Sequence, residues 1–205
     1  LESIELNKKW ELINILGGEP TLHDDFGDII CEILYKYIIP FSPNTILQIT
    51  SNGFGDLVKE KLDAIPKHEN VIIDYASFKN DRKVPYFSPF NEAPVDEESS
   101  NQDYSKGCWV TSYCGIGLNQ LGYYPCGVAG GIDRVFQKNI GVKNLRDVDK
   151  SINKLLNEFC KYCGNFSDYA VNKGNFIPRN EKAVVIKPLI SKTWKEKYKI
   201  YNAKK

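Results

Sequence analysis

The sequence predicts an α/β fold: a small parallel sheet, part of a barrel or an open sheet, followed by a Cys-rich extension. Three observations predict it. The first 75 residues alternate between strand-like and helix-like segments, that rhythm stops after Ser77, and five cysteines then crowd between Cys108 and Cys163.

Trp10 to Leu16 (WELINIL) is short, β-branched and apolar and stops at Gly17-Gly18, the pattern of a strand buried on both faces. Phe26, Ile29, Ile30, Ile33, Leu34 and Tyr37 recur at three- and four-residue spacing, which predicts a helix with one apolar face. Asp24 or Asp25 is placed to cap it, and Pro40 forbids long continuation. The cycle repeats. Thr45 to Thr50 is a second strand, Leu57, Val58, Leu62 and Ile65 mark a second helix before Pro66, and Val71 to Tyr75 is a third strand. Strands separated by helices of this length pair in parallel. Residues 81–107 read as a connection with Pro85, Pro89, Pro94 and an acidic run. In residues 108–166, Ile152, Leu155, Leu156 and Phe159 predict a helix that delivers Cys160 at its end. Residues 167–205 are a basic tail, with ten Lys/Arg and two Asp/Glu from Lys173 onward.

The chain has 205 residues, 42% hydrophobic and 26% charged, a globular composition. Its net charge of +1 makes no whole-chain electrostatic case for nucleic acid. No apolar run approaches the roughly 20 residues of a spanning helix, and LESIELNKKW has no basic-then-apolar signal pattern. A cytoplasmic protein without membrane partners is the expectation. The chain begins at Leu1 and contains no Met, as expected of a piece of something longer.

Cys31 stands apart on the first helix and reads as a small hydrophobe. Cys108, Cys114, Cys126, Cys160 and Cys163 fall within 56 residues. Disulfides suit small secreted domains better than this chain. Cys160-Lys161-Tyr162-Cys163 followed by Gly164 is a CxxC turn whose thiolates can converge on one ion or cluster. One CxxC with three unevenly spaced partners favours an iron–sulfur cluster over a single zinc ion, though spacing alone leaves both open. The glycines around Cys126, in GYYPCGVAGG, would let backbone approach such a centre.

Gly17-Gly18-Glu19-Pro20 follows the first strand, at the end where α/β folds bind ligands. Two glycines there admit close approach, and Glu19 offers a carboxylate to an amine; a plain turn is the bland alternative. Ser51-Asn52 ends the second strand in an equivalent position. There is no phosphate-binding GxxxxGK loop, and His23 and His68 lack triad neighbours.

INILGGEPTLHDDF resembles the second strand and turn of radical S-adenosylmethionine (radical SAM) enzymes, whose GGE motif contacts the amine of that cofactor. ILQITSNGFG is similar to their third strand and VIIDYAS to their fourth. GCWVTSYCGIGLNQLGYYPCGVAGGIDRVF and FCKYCGNF look like the SPASM or shorter twitch extension, which carries an auxiliary four-iron, four-sulfur cluster. The resemblance covers residues 10–80 and 108–166. It implies a partial (β/α) barrel over residues 1–80 and a Cys-rich α+β auxiliary domain over 108–166.

Carried over residue by residue, Gly17, Gly18, Glu19 and Pro20 would hold the methionyl amine, and Ser51 and Asn52 would line the same pocket. Cys108 and Cys126, with Gly122 between them, and the pair Cys160 and Cys163 match the auxiliary ligand set. Cys114 is then a substitute for Cys108 or a spare. The CxxxCxxC of the catalytic cluster is absent from these residues and is expected upstream. The resemblance therefore implies an enzyme in the parent protein and an inactive piece here. The parent would use a catalytic four-iron, four-sulfur cluster, S-adenosylmethionine and an electron donor to generate a 5′-deoxyadenosyl radical. That radical takes hydrogen from a substrate whose class (peptide, protein or small molecule) stays open. The alternative is a non-catalytic zinc- or cluster-binding interaction module. A shortened barrel also leaves a sheet edge open to self-association. Glu19→Gln is expected to matter little to folding.

Overall fold

A computed structural model describes residues 1–75, 103–166 and 192–204. The chain forms two compact units, Leu1–Pro85 and Tyr86–Lys205.

The first unit opens with a short helix α1 (Glu2–Glu5) and carries three strands, β1 (Leu12–Ile15), β2 (Ile46–Ser51) and β3 (Val71–Tyr75). They pair in parallel in the order β1-β2-β3, with Leu12 opposite Ile46 and Thr50 opposite Asp74. Between β1 and β2 the chain forms α2 (Phe26–Glu32), a π-helical stretch (Ile33–Ile38) and α3 (Ile39–Phe41). The widened turn answers Pro40, which has no N–H to donate: Ser42 N–H donates instead to Tyr37 O at 3.1 Å and Ile38 O at 3.0 Å. Helix α4 (Asp56–Asp63) makes the second crossover. Asp25 occupies the N-cap of α2 without a capping hydrogen bond, so neither expected Asp closes that helix with its side chain.

Leu47 and Ile49, alternate residues on one face of β2, share a core with Phe26, Ile30 and Leu34 of the first crossover and Val58 and Leu62 of the second. Both crossovers therefore cover the same face of the sheet. The expectation that the first strand is buried on both faces fails here. Leu12 is 47% exposed and Leu16, just beyond the strand, 58% exposed. On that open face polar side chains bond across the strands: Thr50 Oγ1 donates to Asn14 Oδ1 at 3.0 Å, and Gln48 Nε2 donates to Asp74 Oδ2 at 3.2 Å. At the amino ends of the strands, Tyr37 Oη accepts from Trp10 N–H and donates to Lys8 O, tying the entry to β1 to the helical crossover.

In the second unit α5 (Trp109–Cys114) leads into a hairpin of β4 (Gly117–Asn119) and β5 (Gly122–Tyr124), then α6 (Gly127–Phe136) and α7 (Val148–Phe159). Gly122 at φ +130° faces the carbonyl of Val142, and a Cβ there would meet that oxygen at 2.5 Å. Tyr124, fully buried, packs its ring on Phe159 at 5.9 Å and donates to Asp133 Oδ2 at 2.6 Å. The same oxygen accepts from the N–H groups of Ile140 and Gly141, so α6 is bound to the segment that follows it. Helix α8 (Lys192–Asn202) packs against α6, where Lys197 Nζ lies 5.8 Å from the Phe136 ring and Lys204 Nζ donates to Gln137 Oε1. The expected loop at 81–107 and the start of the basic tail fall largely outside the described residues. Among the described residues no helix is long and apolar enough to cross a membrane.

Truncating Ile49, which is fully buried under both helices, should cost roughly 2–5 kcal/mol. The half-exposed Leu12 should tolerate the same change within about 0.5 kcal/mol. Urea unfolding of Ile49→Ala and Leu12→Ala checks both.

Candidate metal and cofactor sites

Five separate positions carry the clustered thiols, and four of them come together. Cys108 is the N-cap of α5, Cys126 the N-cap of α6, Cys160 the C-cap of α7, and Cys163 closes the short 3-10 turn Cys160–Tyr162. All four line one pocket, whose apolar wall includes Val128, Ile132 and Phe159. About 300 Å3 lies between the lining atoms, its open mouth included; the enclosed part is about 10 Å3, room for roughly one water. Cys114, at the far end of α5, is exposed and does not line the pocket, although its charge acts on Cys126. Cys31 is on α2, in the other unit, as its isolation in sequence suggested.

Local structure brings these sulfurs to one place. Phe159 is the last residue of α7, and its packing on Tyr124 sets where Cys160 emerges. Tyr124 in turn ends β5, two residues before Cys126. Gly117 lets the hairpin lie against that cysteine, since a Cβ there would stand 2.7 Å from the Cys126 carbonyl carbon. Gly130 has a similar packing duty, against Asn119 and Tyr124. Of the glycines around Cys126, Gly122 and Gly130 are thus required by close approach of the chain to itself, whereas a Cβ on Gly127 or Gly131 meets no atom within 4 Å.

The thiols are electrostatically one group. Burial, then the neighbouring Cys163, Cys126 and Cys108, push the Cys160 thiol up to about 12. Burial does the same for Cys163, also about 12, against hydrogen bonds from Asn165 that pull the other way. Burial raises Cys126 too, opposed by the N–H groups of Ala129 and Val128 in the first turn of α6. Without a cation burial therefore favours the neutral thiols of Cys126, Cys160 and Cys163, and a metal would have to displace their protons. The donor set suits thiophilic metal. Among the described residues no group of three or more His, Cys, Asp and Glu is already drawn close enough to hold a metal ion.

Beside the CxxC turn, Glu158 pairs with Lys138 and, at 3.6 Å, with Lys161. Both ammonium groups also lie over the Tyr162 ring, at 5.1 and 5.2 Å. The pairing with Lys138 holds the Glu158 carboxyl below its ordinary range.

In the first unit the GGEP turn and the end of β2 meet through Glu19. Its Oε1 accepts from Thr21 Oγ1 at 2.8 Å, Ser51 Oγ at 2.9 Å and Thr21 N–H at 3.3 Å, and its Oε2 accepts from Asn52 N–H at 2.7 Å. Burial alone would raise this carboxyl, but the hydrogen bonds outweigh it and hold it below the ordinary value. A carboxylate offers about four acceptor positions. Oε1 is saturated, whereas Oε2 keeps one open for an outside donor such as an amine. Pro20 starts the 3-10 turn Pro20–Leu22 that Glu19 caps. Gly17 and Gly18 are exposed, neither adopts a left-handed φ, and a Cβ on either meets no atom within 4 Å. Nothing in the chain itself demands glycine there, and the space is open to a ligand.

Comparison with protein-family models, curated protein sequences and solved structures finds no match.

Sequence reasoning overlooked three contributors: Glu19 as a clasp on β2, the Val128 and Ala129 amides aimed at Cys126, and Asn165 beside Cys163. The helix start after Cys126 was the available signal for the second.

The clasp corrects the expectation that Glu19→Gln is neutral for folding. Replacing an acceptor oxygen by NH2 turns a donor toward donors, and the loss should be about 1–3 kcal/mol. Because the folded carboxyl titrates below its ordinary value, this stabilisation is present at neutral pH and fades as pH falls through the carboxylate range. Urea unfolding should show a larger acid-side loss in the native chain than in Glu19→Gln, which keeps only the loss due to other carboxyls such as Glu158. For the thiols, iodoacetamide at neutral pH should label exposed Cys114 first, with Cys160 and Cys163 reacting only on unfolding. Mass-spectrometric mapping of the labelled sites is the check.

Proposed function

We propose that this chain is part of a radical SAM enzyme, carrying a piece of its (β/α) barrel with the S-adenosylmethionine-binding turn and an auxiliary iron–sulfur pocket. The observation that carries the reading is the meeting of Cys108, Cys126, Cys160 and Cys163 in one pocket. It fits the ligand set that the sequence resemblance implies, with Cys114 as the spare.

The cofactor half of the reading rests on the first unit. The open Oε2 position of Glu19 would receive the methionyl ammonium, Gly17 and Gly18 would let the ligand lie against backbone, and Ser51 and Asn52 stand alongside. Three parallel strands in sequential order, with both crossovers on one face, suit a barrel segment and an open sheet alike. When bound to the catalytic cluster, S-adenosylmethionine supplies a 5′-deoxyadenosyl radical for hydrogen abstraction. The residues of this chain hold and orient the cofactor; with no CxxxCxxC among them, they are not expected to cleave it unaided.

Anaerobic reconstitution with iron and sulfide tests the reading. About four irons per chain should be retained. Cys160→Ser and Cys163→Ser should each drop iron to near background, whereas Cys31→Ser and Cys114→Ser keep it. One zinc per chain with no iron would replace this reading by a structural zinc module.

A further inference from the structure

We propose that Asn165 is a positioning residue that sets the reduction potential of the cluster in the four-thiol pocket, through its hydrogen bonds to Cys163. The proposal rests on the iron–sulfur reading above.

Asn165 lies two residues beyond Cys163, in the short 3-10 turn Gly164–Phe166, and its side chain forms part of the pocket wall. Its Nδ2 donates to Cys163 Sγ at 3.7 Å, and its own backbone N–H donates to the same sulfur. One residue thus directs two donors at one thiol. Phe166 anchors the turn: its ring packs edge-on against buried Tyr104 at 5.0 Å, so the turn's next residue is fixed in the core.

The other sulfurs are supported differently. Cys126 receives the amides of Val128 and Ala129, and Cys108 the amide of Thr111; these are backbone groups, which side-chain replacement leaves in place. Cys160 is influenced by burial and by its thiol neighbours. The Asn165 amide is therefore a donor to these sulfurs that a point substitution can remove without touching the helix-terminal donors.

Reduction adds one electron to the cluster, supplied by an outside one-electron reductant, with no bond made or broken in the protein. The added charge spreads onto the ligand sulfurs, and an N–H dipole aimed at a sulfur stabilises it. Asn165 holds the couple at a higher potential than the buried thiolates alone would set.

The experiment is a dithionite titration with redox mediators of the reconstituted chain and of Asn165→Leu and Asn165→Asp, with iron counted in each. With iron content and visible spectrum unchanged, Asn165→Leu should lower the ratio of reduced to oxidised cluster about tenfold at the native midpoint, or about 59 mV for a one-electron couple. Asn165→Asp, which sets a negative charge where the donor was, should lower it further. If Asn165→Leu fails to load iron, the near-isosteric Asn165→Asp decides. Native midpoints in iron-replete variants overturn the proposal and leave the cluster standing. A native chain that retains no iron overturns the cluster reading and this proposal with it. A purely structural role for Asn165 would lower iron content without moving the midpoint of the cluster that remains.

Discussion

The contact between Tyr124 and Phe159 is the constraint on which the second unit depends. Each ring ends an element, β5 and α7, and each is followed within two residues by a pocket cysteine. Burying both rings in one core leaves little freedom in where Cys126 and Cys160 emerge. The phenol is anchored as well: its bond to Asp133, shared with two backbone N–H groups, ties the ring to α6. An aromatic pair worth about 0.5–1.5 kcal/mol beyond its buried area is modest in energy, but here it sets the geometry of thiols that lie 34 residues apart in the chain.

Buried thiols are costly to ionise, and four in one pocket repel one another once they are ionised. The protein has partly prepared for charge by directing helix-terminal amides at Cys126 and two donors of Asn165 at Cys163. Those dipoles oppose the burial effect without cancelling it. A pocket built this way is stable with neutral thiols and becomes a strong donor set only when a cation compensates the charge.

The first unit solves a different problem. Its sheet is covered by helices on one face only, and the open face is kept wettable by bonded polar pairs across the strands. At the carboxyl ends, Glu19 joins the turn after β1 to the turn after β2. One carboxylate thereby stiffens the loop pair and still presents an acceptor position outward. The exposed glycines beside it give a ligand room at the same point.

Periodicity and punctuation carried far along this chain. The spacing of Phe26, Ile30 and Leu34, the β-branched runs around Ile13, Ile49 and Ile72, and the helix ending at Cys160 are local signals, and each formed the expected element. What stayed hidden was whatever depends on a neighbour distant in sequence. The exposure of Leu12 follows from which face the helices cover. The clasp of Glu19 on Ser51 and Asn52 spans more than thirty residues. Which four of five cysteines share a pocket was undecidable from spacing, because Cys108 and Cys114 sit at opposite ends of one short helix and only its packing turns the first inward. Element type is a local free-energy preference that residue order can express. Which side chains meet is set by burial of residues distant in sequence, Leu47 and Ile49 with Val58 and Leu62 in the first unit and Tyr124 with Phe159 in the second, and that exists only once the chain has closed on itself.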